Sequence, residues 1–247
     1  MKLKAFVAAG LVVSASCAMA VVTSGNTLCR IQVDSSSTET ILAVPLIEIG
    51  GSDQAITITN LVTTTGLSEN DTLMYNDGEN WYSWHVNENG NWEAVNTTVG
   101  GKTTTAATNA QFARGRGVWL VRGNASKNNP IFLYGQCDAG TTTTAFTSGT
   151  KAQPKYTLMG NPKEAAFAPN SKTWTRCVKG DKIAYADATG KAATFTYRPE
   201  IGEGGSWCEA QFDANGDMTW VATSKTIPAG QGFWYVSVGG TGGTVEW

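Results

Sequence analysis

Short runs of aromatic and β-branched residues, separated by Gly, Asn and Asp, recur along most of the chain. Such runs are typical of antiparallel strands, and Gly-containing pairs supply the positive φ of tight hairpins. The strands predicted in this way cover residues 73–75, 81–86, 118–122, 131–134, 194–198 and 233–236. The turns are predicted at Asp77-Gly78, Asn89-Gly90, Gly123-Asn124 and Asn215-Gly216. The pattern indicates an all-β fold of antiparallel, sandwich-like or barrel-like modules.

One segment has helical signals instead. In residues 161–168, Asn161 suits an N-cap, Pro162 the first helical position, and Glu164 completes a capping box. Pro169 follows and stops a helix. We therefore predict a single helical turn in an otherwise all-β chain.

The chain contains an internal repeat. Residues 70–77 (NDTLMYND) and 180–187 (GDKIAYAD) share both aspartates, an apolar residue and a tyrosine at one spacing. Residues 114–119 (RGRGVW) match residues 229–234 (AGQGFW), and Trp92 precedes Trp119 by 27 residues, as Trp207 precedes Trp234. We predict two tandem modules, residues 21–137 and 156–247, joined by a Thr- and Gly-rich connector, residues 138–155.

The first twenty residues have the pattern of a secretory signal peptide. Lys2 and Lys4 precede an apolar stretch, and Ala18-Met19-Ala20 forms a small-x-small cleavage site before Val21. An alternative is lipid attachment at Cys17. No other apolar stretch approaches the ~18 residues of a membrane-spanning helix. The predicted location is extracellular or in the cell envelope.

Four cysteines remain after cleavage at that site, an even number that suits an oxidising compartment. They are Cys29, Cys137, Cys177 and Cys208. Their spacings are too wide for a zinc site. Three pairings are possible, and the most economical joins Cys29 to Cys137 and Cys177 to Cys208, one bridge within each module.

Composition and charge limit the classes of function that the chain can have. Charged residues make up 15% of the chain, and 18 basic against 20 acidic residues give a net charge of −2, with no basic run to neutralise phosphates. Nucleic acid is therefore a poor candidate partner. His85 is the single histidine, and the chain has no Gly-x-Ser-x-Gly motif. We interpret His85 as a solvent-facing strand residue and predict that the protein is not an enzyme.

Carboxylates provide the other candidates for chemistry. Asp71 with Asp77, and Asp181 with Asp187, have the residue types of a glycosidase pair. Both pairs flank the first strand and turn of a repeated module, where Asp usually caps backbone N–H groups, and we interpret them in that way.

Two further motifs resemble ligand loops only in part. Residues 213–217 (DANGD) begin like a calcium loop, but Ser224 stands where a bidentate Glu is required, so we predict a hairpin turn. The Gly-x-Gly pairs at residues 115–117 and 230–232 enter strands rather than helices, so we predict tight backbone turns and no phosphate loop. No metal and no cofactor are predicted.

The tryptophans are the remaining candidates for binding. Trp92 with Trp207, and Trp119 with Trp234, recur in the repeat, and we predict that all four pack in cores. Trp81 and Trp84 point to opposite faces of one strand, so one of them should be exposed. We predict that Trp81, with Asn80 and Asn87, forms a binding surface.

The C-terminal strand region carries a family resemblance. Residues 225–237 (KTIPAGQGFWYVS), together with 180–183 (GDKI) and 158–162 (LMGNP), resemble the repeating unit of poorly characterised secreted bacterial surface proteins, in which an IPAGxGFWY strand closes a β-module. The resemblance implies a β-module and export. It implies no activity, cofactor or ligand.

Three functional hypotheses follow. The first is a secreted or cell-envelope, non-catalytic protein that acts in structure, self-association or adhesion, since its low-charge strands are suited to edge pairing. The second is a glycan-binding module that uses Trp81. The third is an outer-membrane β-barrel, since the chain ends in an aromatic residue, Trp247.

Overall fold

The computed structural model describes residues 21–23, 26–34, 36–51, 55–76, 80–107, 109–137, 140–186 and 191–247. The predicted signal peptide, residues 1–20, and the predicted turn at Asp77-Gly78 lie outside them. The described chain consists mostly of antiparallel strands, which confirms the all-β prediction.

The described residues of the N-terminal half, within 21–137, form eleven strands and one short helix, α1 (Ile58–Leu61). Strands were found at all four positions predicted in this half. The strands are β1 (Val21–Thr23), β2 (Asn26–Val33), β3 (Glu39–Ala43), β4 (Ala55–Thr57), β5 (Thr72–Asn76), β6 (Trp81–Val86), β7 (Trp92–Val99), β8 (Lys102–Thr105), β9 (Gln111–Ala113), β10 (Gly117–Val121) and β11 (Ile131–Cys137).

In the C-terminal half, the described parts 140–186 and 191–247 form nine strands and a 3-10 helix (Pro169–Ser171). The predicted connector is not simply a linker, because β12 lies within it and pairs with the last strand, β20. The strands are β12 (Thr143–Phe146), β13 (Lys155–Gly160), β14 (Thr173–Trp174), β15 (Lys182–Ala186), β16 (Ala192–Arg198), β17 (Ser206–Phe212), β18 (Met218–Ala222), β19 (Gly232–Ser237) and β20 (Gly243–Glu246).

The helical turn predicted at residues 161–168 is wrong. The side-chain oxygen of Asn161 accepts a hydrogen bond from the backbone N–H of Lys163 at 3.2 Å, but the segment continues as bends. Phe167 forms a β-bridge with Ile227 and is buried. Tertiary pairing of Phe167 thus overrides the local capping signals.

Each half is built around a six-stranded antiparallel sheet. The N-terminal sheet has the order β3-β10-β5-β6-β7-β8, and the C-terminal sheet has the order β13-β19-β15-β16-β17-β18. Counted along the chain, these orders correspond strand for strand. Smaller sheets, β1-β2-β11 and β12-β20-β14, accompany them. The duplication remains a prediction, which the shared strand order supports.

Strand register gives the residue correspondence between the halves. Leu73 pairs with Trp84 as Ile183 pairs with Phe195, so Trp84 corresponds to Phe195. By the same register His85 corresponds to Thr196. The correspondences of Trp92 with Trp207 and of Trp119 with Trp234 agree with the register.

The halves have separate hydrophobic clusters. One contains residues from Cys29 to Leu133 together with Ala229, and the other contains residues from Phe146 to Trp247. Trp92 and Trp207 are buried in these clusters, as predicted. Trp119 and Trp234 are only half-buried, so their core assignment is wrong. Their neighbours along β10 and β19 occupy the core face instead, since successive side chains alternate.

The Gly-x-Gly segments join the halves reciprocally. The backbone N–H of Ala43 donates to the carbonyl of Gly230 at 2.7 Å, and that of Gly160 donates to the carbonyl of Gly115 at 3.0 Å. Gly115 and Gly230 have φ of 77° and 73°, so the predicted tight turns are confirmed. Each turn inserts into the opposite half, and a Cβ at Gly230 would lie 2.7 Å from Val33.

Cys29 and Cys137 form a disulfide between β2 and β11, as predicted. The second predicted bridge is wrong, because Cys177 and Cys208 are free thiols. Cys177 packs against the cluster that contains Trp207, whereas Cys208 follows Trp207 on β17 and points to the opposite face. Burial raises the pKa of Cys177 to about 12, so this thiol is protonated at neutral pH.

Candidate functional site

Three tryptophans meet where the outer faces of the two large sheets adjoin. The ring centroids of Trp81 on β6 and Trp119 on β10 are 6.2 Å apart, and Trp234 on β19 lies 6.1 Å from Trp81 and 6.2 Å from Trp119. All three side chains are half-buried. We call these residues the tryptophan triad. Tyr156 on β13 is 58% exposed, and its ring centroid lies 6.0 Å from that of Trp234.

Strand alternation places these rings outside the cores. Trp84 is buried in the N-terminal cluster, so Trp81, three residues earlier on β6, points to the outer face. The two rings thus point to opposite faces as predicted, but Trp81 is half-buried and not exposed. Trp84 and Trp92 donate their indole N–H groups to backbone carbonyls at 3.0 and 2.8 Å. Among the described residues, none accepts a hydrogen bond from a triad indole, so these N–H groups are available to a ligand.

A groove of about 620 Å³ extends from the triad towards β13. Trp81, Trp234 and Tyr156 supply its aromatic surface, and Asn76 and Lys155 supply polar groups. The amide of Asn76 donates to the backbone carbonyl of Asn80 at 3.2 Å. We call this the Tyr156 groove. It is open to solvent and combines aromatic rings with a few polar groups, which is typical of small-molecule and carbohydrate sites.

A second groove, of about 320 Å³, extends from the triad towards β3. Its surface is formed by Trp119 and Trp234, by alanines of β15 and β16, and by the exposed Glu39 of β3. We call this the Glu39 groove. Trp234 and Ala184 line both grooves, so the two are continuous across the triad.

The three predicted site residues are not all brought together. Asn80 adjoins Trp81 at the start of β6, and both line a small pocket beside Thr104, whose hydroxyl donates to the carbonyl of Trp81. Asn87 lies beyond the other end of β6, roughly 20 Å away along the strand. Its side-chain oxygen accepts from the N–H groups of Asn89 and Asn91, both at 3.0 Å.

Asn87 therefore closes the β6–β7 hairpin, and its predicted part in binding is wrong. The residues that sequence reasoning missed are Trp119, Trp234 and Tyr156. Uninterrupted apolar runs in β10 (GVWLV) and β19 (GFWYV) were the available signal, because such runs indicate strands that are covered on both faces. The second covered face is where the triad lies.

The repeated aspartates Asp71 and Asp181 are structural caps, as interpreted from the sequence. Asp71 accepts hydrogen bonds from the N–H groups of Ser68 at 2.9 Å and Gly123 at 2.8 Å. Asp181 accepts from the N–H groups of Val178 at 3.0 Å and Val238 at 2.8 Å, and from the Tyr235 hydroxyl at 2.7 Å. Both carboxylates are buried away from the grooves. Their predicted partners, Asp77 and Asp187, lie outside the described residues.

The other candidates are also structural. Nε2 of His85 lies 3.9 Å from Oε2 of Glu93, on the outer face of β6. Asp213 accepts from the N–H groups of Asn215 and Asp217 at 2.8 and 2.9 Å, and the segment forms the predicted β17–β18 hairpin turn.

Two of the four predicted turns have the expected backbone. Gly90 and Gly216 have φ of 73° and 86°. Gly123 is not in the left-handed region, so that part of the turn prediction is wrong, and its N–H donates to Asp71 instead.

Comparison with models of known families, with curated proteins and with solved structures finds no match for this chain. The resemblance to secreted bacterial surface proteins therefore remains a prediction. Within the described ranges, no helix is long and apolar enough to cross a membrane.

Proposed function

We propose that the protein is a non-catalytic binding protein of the cell exterior or envelope that acts in adhesion, and that it binds carbohydrate in the Tyr156 groove. The observation that supports this proposal is the open groove between the halves, which is lined by two rings of the tryptophan triad, Trp81 and Trp234, together with Tyr156. Export is predicted by the signal peptide, and the absence of catalysis by the lack of a nucleophile–base motif in the sequence.

The groove has the two kinds of group that a sugar ring requires. One face of a pyranose presents C–H groups, which pack against the electron-rich face of an indole or phenol ring. The hydroxyl edge requires hydrogen-bond partners, and Asn76, Lys155 and the indole N–H groups of Trp81 and Trp234 supply them. Aromatic side chains that are already packed against each other lose little conformational freedom when a ligand binds.

Replacing Trp81 with alanine should weaken carbohydrate binding about tenfold or more, because truncation of a central aromatic hot spot costs about 2 kcal/mol or more. Wild-type protein is first screened on a glycan array, and the affinity of each variant for the hits is then measured by calorimetry. Trp220→Ala is the matched control. Trp220 is also half-buried, and its ring centroid lies 3.8 Å from Cζ of Arg198. It is on β18, about 19 Å across the sheet from β19, which carries Trp234.

An array with no hits for the wild type contradicts this function. So does an equal loss of affinity in the Trp81 and Trp220 variants, since the triad would then have no special part in binding.

A second candidate, self-association, is favoured by the free edge of the C-terminal sheet. β18 (MTWVA) is the last strand of its sheet and contains no charged residue and no proline, the usual protections of an exposed edge. Exposed apolar side chains are concentrated on β18 and at the adjoining end of β17, with Met218 50%, Val221 42% and Phe212 69% exposed. The N-terminal sheet ends in β8 (KTTT), which carries Lys102.

Val221→Lys should abolish concentration-dependent association, because a charge in the middle of β18 opposes edge-to-edge pairing. Sedimentation velocity over a range of protein concentrations measures the association. Val99→Lys is the control, since Val99 is also an exposed strand valine, at 46%, but lies on β7 in the other half. A wild type that stays monomeric at every concentration overturns this candidate.

A further inference from the structure

The Glu39 groove and the Tyr156 groove occupy corresponding places in the two halves. Glu39 lies four residues before Ala43, which pairs with Gly117, and Tyr156 lies four residues before Gly160, which pairs with Gly232. When the two halves are exchanged by superposition in strand register, the Glu39 groove therefore takes the place of the Tyr156 groove, and the reverse. Each groove begins at an exposed residue of an outer strand and ends at the triad.

The two grooves differ at one position, where the size of the side chain determines how much room is left for a ligand. Trp81 pairs with Asn76, and the corresponding pair in the C-terminal half is Ala192 with Ala186. Alanine therefore lies where the other half has a tryptophan ring. Ala184, Ala186 and Ala192 line the Glu39 groove, together with the rings of Trp119 and Trp234 and the side chain of Ile41. This leaves a shallow apolar surface beside an aromatic ring, which suits a further sugar ring.

Because the two grooves are continuous, they can hold a ligand that is longer than either groove. Trp234 and Ala184 line both, so a chain can pass from the Tyr156 groove to the Glu39 groove without leaving the surface. Both grooves are open to solvent, and Tyr156 at one end is 58% exposed. A linear chain can thus continue beyond the site at both ends.

The charges select a neutral chain. The carboxylate of Glu39 lies at one end of the continuous groove, and the ammonium of Lys155 lies at the other. An acidic polymer would be repelled at the Glu39 end and a basic polymer at the Lys155 end, because like charges in contact oppose binding. A neutral chain meets neither penalty, and its hydroxyl groups can hydrogen-bond to both side chains.

We infer that the ligand is a linear, neutral polysaccharide, and that each molecule holds an internal stretch of it across both grooves. This inference rests on the proposed carbohydrate-binding function. It adds a second binding surface, the Glu39 groove, with Trp119, Ala192 and Glu39 as its determining residues.

The test compares ligands of different chain length, and then compares the wild type with a variant whose Glu39 groove is filled. Calorimetry is performed with cellohexaose, chitohexaose, maltohexaose and xylohexaose, with their disaccharides, and with hexagalacturonic acid as an acidic chain. At least one neutral hexamer should bind about tenfold or more tightly than its disaccharide, since it gains contacts in the second groove. Hexagalacturonic acid should bind more weakly than that hexamer.

Ala192→Trp fills the Glu39 groove with the ring that the other half carries at this place. Ala192 is exposed and its counterpart is Trp81, so the fold accepts the larger side chain. The variant should lose the hexamer's advantage and keep the disaccharide's affinity. Ala145→Trp, at an exposed position on β12, is the control and should bind the hexamer like the wild type. Glu39→Gln should raise the affinity for hexagalacturonic acid.

Equal affinities for hexamer and disaccharide, or an Ala192→Trp variant that binds the hexamer normally, overturn the inference. If Trp81→Ala still loses binding in that case, the proposed function stands without it. A wild type that binds none of the four neutral hexamers, nor their disaccharides, overturns the inference, and it overturns the proposed function as well if the glycan array also gives no hit.

Discussion

Loss of the Cys29–Cys137 bridge is expected to lower the free energy of unfolding by about 4–5 kcal/mol, because the bridge closes a loop with a sequence separation of 108 residues. A Cys29→Ala/Cys137→Ser double variant removes the bridge. Urea unfolding of this variant and of the wild type, each with and without dithiothreitol, measures the loss. Dithiothreitol should destabilise the wild type and leave the double variant unchanged.

Cys208→Ala provides the matched control. Cys208 is a free buried thiol, so this variant should keep the full sensitivity to dithiothreitol. Wild-type protein with the same unfolding midpoint in oxidised and reduced form would show that the bridge does not stabilise the fold.

Gly230→Ala is expected to cost about 2–5 kcal/mol, the sum of a left-handed backbone, about 1–2 kcal/mol, and overpacking, about 1–3 kcal/mol. Gly230 has a φ of 73°, and an added Cβ would lie 2.7 Å from Val33 and 2.8 Å from Ile31, both buried on β2. The free energy of unfolding in urea measures the cost.

Gly90→Ala separates the two contributions. Gly90 has the same φ of 73°, but an added Cβ there would meet no atom within 4 Å. This variant should therefore lose only the backbone part, about 1–2 kcal/mol. Equal losses in the two variants would contradict the reciprocal insertion of the Gly-x-Gly turns as a source of stability.

The Gly-x-Gly joint also positions the candidate site. Trp119 lies two residues after Gly117, and Trp234 lies two residues after Gly232, so each ring is fixed by a turn that is inserted into the opposite half. Trp81 and Trp119 come from one half and Trp234 from the other. The triad therefore forms only when the two halves are packed together through these turns. Gly230→Ala should consequently weaken carbohydrate binding as well as stability.

The candidate site was only partly predictable. Trp81 is recognisable because Trp84 shares its strand at an odd spacing, which forces the two rings to opposite faces. Trp119 and Trp234 lie in uninterrupted apolar runs, where no alternation marks the core face. Asn87 was assigned to the site by its closeness to Trp81 in the chain, but an extended strand carries its two ends far apart.

The pairing of the cysteines was also only partly predictable from the sequence. An even number in an oxidising compartment predicts bridges, and Cys29 with Cys137 forms one because β2 and β11 pair. Cys177 and Cys208 lie in one half but on opposite sides of β17. Sequence distance carries no information on which side of a sheet a thiol occupies.

Local chemistry alone determined that this chain forms short antiparallel strands, where several of its hairpins turn, and that the repeated aspartates cap backbone N–H groups. These features depend on neighbouring residues and on the period of two along a strand. Only the tertiary structure decided which face of each apolar strand enters a core, which cysteines meet, and that three distant tryptophans converge. The first two outcomes depend on the pairing of strands that are distant in the chain but belong to the same half. The third depends on contacts between the halves, where the Gly-x-Gly turns exclude side chains and bring the two sheets together.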